Sequence, residues 1–277
     1  MRLPKHRLFD YNTPGKGVDE NEPPKTGIKL FFDILYRRFW NMVSLNLIYT
    51  LFSLPALAVI WFLTYGVLML SLSGIIAGDE QAATGITQLC MLITCIFYAL
   101  FGGGAPTAAM TYVLRNYRED RHAWVWADFK EKLVENLKQG TLTAIIDYAL
   151  IVILFVNFWF YGMYASQNIA AYLLQGLMAV IFFIFLLMHS YIYPIMISFD
   201  MKLRDIYKNS FLLAVGKFPQ TIAATALCTF FCSLISYFAF FYLIYFLLFI
   251  PFIMFAFSSY MNLFITYPVV KKYIAKI

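Results

Sequence analysis

Charge is scarce in this chain, and the places without it are as informative as the places with it. Asp, Glu, Lys and Arg make up 13% of the residues against 62% hydrophobic, and the mean hydropathy is +0.71, far from the balance of a soluble globular domain. Three apolar blocks hold only Asp79, Glu80 and Asp147 as charged residues, and the last of them, Phe218 to Val270, holds none. A hydrocarbon core of about 30 Å takes roughly 20 apolar residues as helix, so each block is long enough to cross a bilayer and return. In a soluble protein the net charge of +6 would suggest a nucleic-acid partner. Membrane sidedness accounts for it better, and no nucleic-acid partner is expected.

Other absences narrow the chemistry. The four cysteines, Cys90, Cys95, Cys228 and Cys232, lie inside apolar segments with no histidine or carboxylate at ligand spacing, so no metal site is expected and they read as small hydrophobes. No Ser/His/Asp, Cys/His or paired-carboxylate arrangement is recognisable. Gly102-Gly103-Gly104 is not followed by the Gly-Lys-Ser/Thr of a phosphate loop. The chain therefore reads as non-enzymatic and without a cofactor. The first 27 residues are polar and broken by Pro4, Pro14, Pro23 and Pro24, unlike a cleavable leader. They are expected to form a flexible cytoplasmic tail over 1–27, ahead of one membrane domain over 28–277.

What is present is a strict arrangement of basic residues. All 21 lysines and arginines fall in four clusters, Arg2 to Arg38, Arg115 to Lys138, Lys202 to Lys217 and Lys271 to Lys276. Lys and Arg concentrate in cytoplasmic loops, so every cluster reads as cytoplasmic, with both termini inside. The pattern predicts an all-α polytopic membrane protein of about six spans in three hairpins, near 43–69, 89–113, 141–163, 171–198, 219–240 and 246–270. The link from Ser71 to Gln88, with its acidic pair, is expected outside. A tight external turn is placed near Phe240 to Tyr245, and Pro251 then falls early in the sixth span, where a missing N–H is tolerated.

Three segments near the basic clusters have helical periodicity instead of continuous hydrophobicity. They are 28–42 through Phe31, Ile34, Leu35 and Phe39; 124–137 through Trp126, Phe129, Leu133 and Leu137; and 203–214 through Leu203, Ile206, Tyr207 and Phe211. Each leads into an odd-numbered span, which suggests a threefold repeat of amphipathic helix, span out and span back. Asp33, Asp128 and Asp205 occupy similar places in it, as do Pro106, Pro194 and Pro268 late in the returning spans. Helix-in-groove docking uses anchors at such spacing, so Trp124, Trp126, Asp128, Phe129, Leu133 and Asn136 are candidate partner-binding residues.

Within the spans, Gly104 and Pro106 read either as close helix packing with a kink or as a broken helix lining a cavity. Asp147 and His189 are the clearly intramembrane ionisable residues, and such residues are functional candidates because a charge at the bilayer centre costs about 2.5–3.5 kcal/mol on insertion scales. The alternatives are an interfacial Asp147 and a neutral, hydrogen-bonded His189. Arg115, Arg118 and Arg121, with Glu119, Asp120 and His122, read as a solvated face beside lipid headgroups.

Two stretches are more particular than hydropathy requires. One is Phe9-Asp10-Tyr11-Asn12-Thr13-Pro14-Gly15-Lys16-Gly17-Val18, running on to Phe39-Trp40 and Leu45-Asn46-Leu47. The other is Gly104-Ala105-Pro106-Thr107-Ala108-Ala109-Met110, continuing to Trp126-Ala127-Asp128-Phe129 and Asn136-Leu137-Lys138-Gln139-Gly140. They resemble the YesL-like family of bacterial integral membrane proteins, a domain of unknown function frequent in Firmicutes, over at least residues 9–140. The family's usual Gly-Pro-Ala-Thr-Ala-Ala order stands here as Gly-Ala-Pro-Thr-Ala-Ala. The resemblance implies a bacterial plasma-membrane location. Because members are often encoded beside carbohydrate ABC importers, it also implies a role accessory to such uptake, with ABC permease subunits and a second copy of the chain as expected partners beside the bilayer. It carries over no catalytic or ligand residue. The competing expectation is an autonomous small-solute transporter or channel.

Overall fold

The computed structural model describes residues 26–72, 86, 90, 93, 103–165, 168–241 and 250–273. Residues 1–25 of the tail, the external link with Asp79 and Glu80, most of the second span before Gly103, and the turn read near 240–245 beyond Phe241 lie outside them. Eight α-helices carry the described chain: α1 Gly27–Leu72, α2 Ala105–Arg118, α3 Val125–Glu135, α4 Leu137–Ala165, α5 Ile169–Met196, α6 Leu203–Gly216, α7 Phe218–Phe241 and α8 Phe255–Tyr273. A π-helical turn, Ile250–Met254, leads into α8. There is no strand among the described residues. Among the described residues, five helices are long and apolar enough to span a bilayer, and they correspond to five of the six spans read from hydropathy.

Local chemistry sets the helix boundaries. Asn168 caps α5 by accepting from the Ala170 N–H at 2.8 Å, the usual N-cap contact. Asp128 reaches back from the first turn of α3 to the Trp124 N–H at 3.0 Å, much as in a capping box. Asn136 ends α3, its Nδ2 donating to the Lys132 carbonyl at 2.9 Å, and the chain turns there into α4. Pro251 lies in the π-helical turn, where the regular ladder is interrupted. The Ala256 N–H donates instead to Asn46 Oδ1 at 2.7 Å across from α1, so a buried donor that an irregular helix frees finds a side-chain partner.

The amphipathic segments enter the fold in two ways. α3 turns into α4 at Asn136, and α6 into α7 at Lys217, whereas the first segment runs without a break into its span, giving one helix of 46 residues. That helix is about 69 Å long at 1.5 Å per residue, more than twice the thickness of a hydrocarbon core.

The centre of the bundle is α2, which packs against α1, α3, α4, α5 and α8. The second span, expected to end near residue 113, continues helically to Arg118, and Asn116 and Tyr117 are buried with the rest of it. Its Ala-Pro-Thr-Ala-Ala start explains the crowding, since small residues let neighbouring backbones approach. One apolar cluster joins Leu45, Met110, Leu114, Phe129 and Tyr260 from α1, α2, α3 and α8. A second joins Tyr191, Ile195, Ile206 and Val270 from α5, α6 and α8. The outer faces stay apolar. In α5 only 11% of the most hydrophobic window is buried, so its surface meets something other than this chain, as expected of helices in lipid.

The basic clusters converge at one end of the bundle. Arg37 of α1 pairs with Asp120 beyond α2 at 3.1 Å, and Lys271 of α8 pairs with Glu119 at 2.7 Å. Gln139 of α4 donates to the Met201 carbonyl before α6 at 2.9 Å.

Candidate functional site

Asp147 stands ten residues into α4, about 15 Å along its axis from the basic end, and its side chain is only 4% exposed. Its two oxygens have different surroundings. Oδ1 accepts a 2.6 Å hydrogen bond from the Tyr207 hydroxyl of α6. Burial first, and then this bond, push the Tyr207 pKa upward, so the phenol stays protonated and remains the donor. Oδ2 lies 3.4 Å from His189 Nδ1 and has no hydrogen-bond partner among the described residues. A buried carboxylate oxygen in that condition is expensive to desolvate.

Asp147 lines a cavity of about 310 Å³ where α1, α2, α4, α5 and α8 meet. Its wall combines aromatic rings, Tyr49, Tyr148, Phe185, Tyr193 and Phe255, with the hydroxyls of Thr107, Ser258 and Ser259. Among the described residues of that lining, Asp147 is the only carboxylate, His189 is the only other ionisable group apart from the tyrosines, and neither lysine nor arginine is present. The sequence-level readings of an intramembrane Asp147 and His189 thus meet in one place. His189 is 45% exposed on its other side, and Tyr193 packs edge-on against its ring at 5.5 Å.

Gly104 packs closely against α4, and its neighbour Gly103 borders the cavity. Gly104 has φ 59° and ψ −117°, a combination found at the first central position of type II′ turns and dominated by glycine. A Cβ there would come within 2.5 Å of the Gly140 carbonyl oxygen on α4, and a Cβ on Gly140 would meet the Ala105 nitrogen at 2.6 Å. This is backbone-on-backbone packing. At the same break, the Gly104 N–H donates to the buried Tyr193 hydroxyl at 3.1 Å, Gly103 lines the cavity, and Pro106 occupies the first turn of α2, where no donor is lost. Tyr49 of α1 and Thr107 of α2 share a hydroxyl–hydroxyl contact of 3.3 Å on the opposite wall.

Tyr207 and Gly140 are the parts of the site that sequence reasoning placed elsewhere. Tyr207 was expected on the apolar face of its amphipathic helix, and Gly140 was read only as the end of a motif. A hydroxyl among Leu and Ile at core spacing is the one signal that pointed to the first.

The candidate partner surface divides between inside and outside. Phe129 is fully buried, with its ring 5.5 Å from Phe52, and Leu133 is partly buried against the same cluster. Asp128 and Asn136 are occupied as caps. Trp124 and Trp126 remain exposed, at 71% and 53%.

The charged run after α2 is a clamp more than a solvated face. Glu119, 11% exposed, joins Lys271 at 2.7 Å and Arg121 at 3.2 Å and accepts from Tyr267 at 2.9 Å. Burial works against its charge, yet the hydrogen bonds from Lys271 and Tyr267 hold its carboxyl below the ordinary range. Arg115 donates to the Ile197 carbonyl, and Arg118 lies over the Phe264 ring at 4.4 Å. Among the described residues no group of three or more His, Cys, Asp or Glu is placed to hold a metal ion.

Neither the curated proteins nor the solved structures compared with this chain include a match. Residues 84–158 match the family model described as "Protein of unknown function, DUF624". That stretch contains Gly104, Pro106, Gly140 and Asp147 and the whole of α3, but not His189 or Tyr207. Over residues 84–158, this multi-pass membrane protein is similar to a family of unknown function.

Proposed function

We propose that this chain is an autonomous small-solute transporter or channel working at the Asp147 cavity. The observation that carries the reading is Asp147, on the wall of a cavity among five helices, with its Oδ2 buried and without a hydrogen-bond partner among the described residues. Ionisable groups are rare inside membranes and mark substrate or ion pathways, and broken helices with freed backbone groups border such pathways. Gly103 and Gly104 are non-helical just ahead of α2, and Gly103 lines the cavity. The protein is non-enzymatic in this reading and resides in a bacterial plasma membrane with its basic end and both termini cytoplasmic. The clustering of lysine and arginine supports that orientation. Osmotic swelling of liposomes containing only this protein tests the reading: faster swelling in a permeant solute than in empty liposomes is expected, and identical rates with folded protein present would reject it.

A second reading, the accessory to carbohydrate ABC uptake implied by the YesL-like resemblance, is favoured by a different observation. Trp124 and Trp126 stand exposed at the start of α3 near the basic end, where an aromatic pair serves a protein groove as well as a headgroup layer. Purification in mild detergent from the native bacterium is its test. Permease subunits recovered with the wild-type chain and lost with Trp124→Ala/Trp126→Ala would establish it, and recovery of the chain alone would count against it.

A further inference from the structure

We infer that the Asp147 cavity takes a small monocationic ligand bearing a protonated amine, which rests on the solute-handling reading above and names its substrate class. The argument begins with charge. Among the described residues, Asp147 is the one carboxylate of the lining, and no lysine or arginine lines it. The N-terminus of α2 opens on the same space through Gly103 and brings roughly half a positive charge. Its Gly104 N–H is already given to Tyr193, so a net negative charge remains. His189 Nδ1, 3.4 Å away, makes no hydrogen bond to Oδ2. A carboxylate that is nine-tenths buried with one oxygen unsatisfied calls for a cationic donor.

The walls decide between kinds of cation. Alkali and alkaline-earth ions take about six oxygen ligands in a tight shell. Here the polar lining is dispersed, and several of its groups are engaged: Thr107 with Tyr49, the Ser258 hydroxyl with the Phe255 carbonyl at 3.1 Å, and Asp147 Oδ1 with Tyr207. The rings of Tyr49, Phe185, Tyr193 and Phe255 share the remaining wall with apolar Met110, Ala144, Ile151 and Leu186. Aromatic faces attract organic ammonium groups and cover their carbon portions. A volume of about 310 Å³ is at the small end of ligand pockets, which suits an amine of a few heavy atoms. In the bound state an ammonium N–H donates to Oδ2 while the alkyl part lies on the rings.

The test uses full-length protein in nanodiscs, with propylammonium as probe and the near-isosteric neutral propan-1-ol as control, measured by calorimetry and thermal shift. Propylammonium is expected to bind saturably and propan-1-ol not to. Asp147→Asn, which keeps an acceptor for Tyr207 and the volume of the side chain, should weaken propylammonium by roughly ten- to a hundredfold, the loss of one charged hydrogen bond. If that variant fails to fold, the probe-and-control pair on the wild-type protein still decides. Equal responses to probe and control, or no response to either, would overturn the inference. Sodium chloride stabilising the protein where propylammonium does nothing would also overturn it, in favour of an inorganic ion. The reading beneath fails separately. Swelling in neutral polyols without amine binding keeps a transporter and rejects the amine, whereas amine binding without flux supports the amine and rejects the transporter.

Discussion

Gly104 and Asp147 each occupy a position that one atom decides. At Gly104 the positive φ and the 2.5 Å approach to the Gly140 carbonyl leave no room for a methyl group. Gly104→Ala should therefore destabilise by about 2 kcal/mol or more, adding backbone strain to an overpacked contact. The readout is a lowered melting temperature by fluorescence-detected size exclusion, with Gly140→Ala behaving alike. At Asp147 the deciding atom is the Tyr207 hydroxyl. Tyr207→Phe leaves Oδ1 without its 2.6 Å donor and should cost about 1.5–3 kcal/mol, the range for hydrogen bonds to charged groups. Tyr207→Phe combined with Asp147→Asn should cost less than the two single changes added together, because both ends of the bond are then altered.

The sequence made the two intramembrane ionisable residues visible, because a charge in an apolar run stands out by composition alone. It did not reveal Tyr207 as their partner. The contact joins residues 60 positions apart, and the tyrosine fits the helical period of its own segment equally well as a core residue. Gly140 was inconspicuous for a similar reason, since its role depends on a backbone 36 positions earlier.

Among the elements, α3 best separates packing from display. Phe129 is completely buried whereas Trp124 is 71% exposed. Phe129→Ala should cost about 3–5 kcal/mol as a large-to-small core change, and Trp124→Ala should leave thermal stability nearly unchanged. A chemical-denaturation or heating series on the two variants distinguishes these outcomes. Hydropathy and periodicity located α3, α4, α5, α6 and α7 to within a few residues, because lipid demands continuous apolar helix and the amphipathic segments keep a 3.6-residue rhythm. They did not show that α1 continues unbroken for 46 residues, since nothing in a periodic pattern marks whether two helical stretches bend apart. Nor did they identify α2 as the central helix. Its residues are small and of ordinary hydropathy, and centrality is a property of five neighbours, not of its own sequence. The proposed repeat also differs among its copies. Tyr193 before Pro194 holds the Gly104 break, whereas Tyr267 before Pro268 reaches Glu119 at the basic end.

For the molecule as a whole, the convergence of basic clusters makes stability depend on acidity. Glu119 has its carboxyl pKa lowered in the folded protein, so its contribution is complete above its ordinary value near 4.5 and is lost as the pH falls through the lower, folded value. Acidification in that window should release the clamp between α2 and α8. Glu119→Gln should be less stable than wild type at neutral pH and should lose less stability on acidification, as melting curves between pH 7 and pH 3 would record. The other large-scale consequence concerns the interior. Five helices from distant parts of the chain surround Asp147, whose Oδ2 lacks a hydrogen-bond partner among the described residues, and this is the proposed working site of the molecule. The most direct measurement is the rate of osmotic swelling of proteoliposomes carrying Asp147→Asn beside wild type, matched for folded protein. Protein-dependent swelling that falls at least about tenfold in the variant, equivalent to about 1.4 kcal/mol, is the predicted result. Equal rates for the two proteins would contradict it.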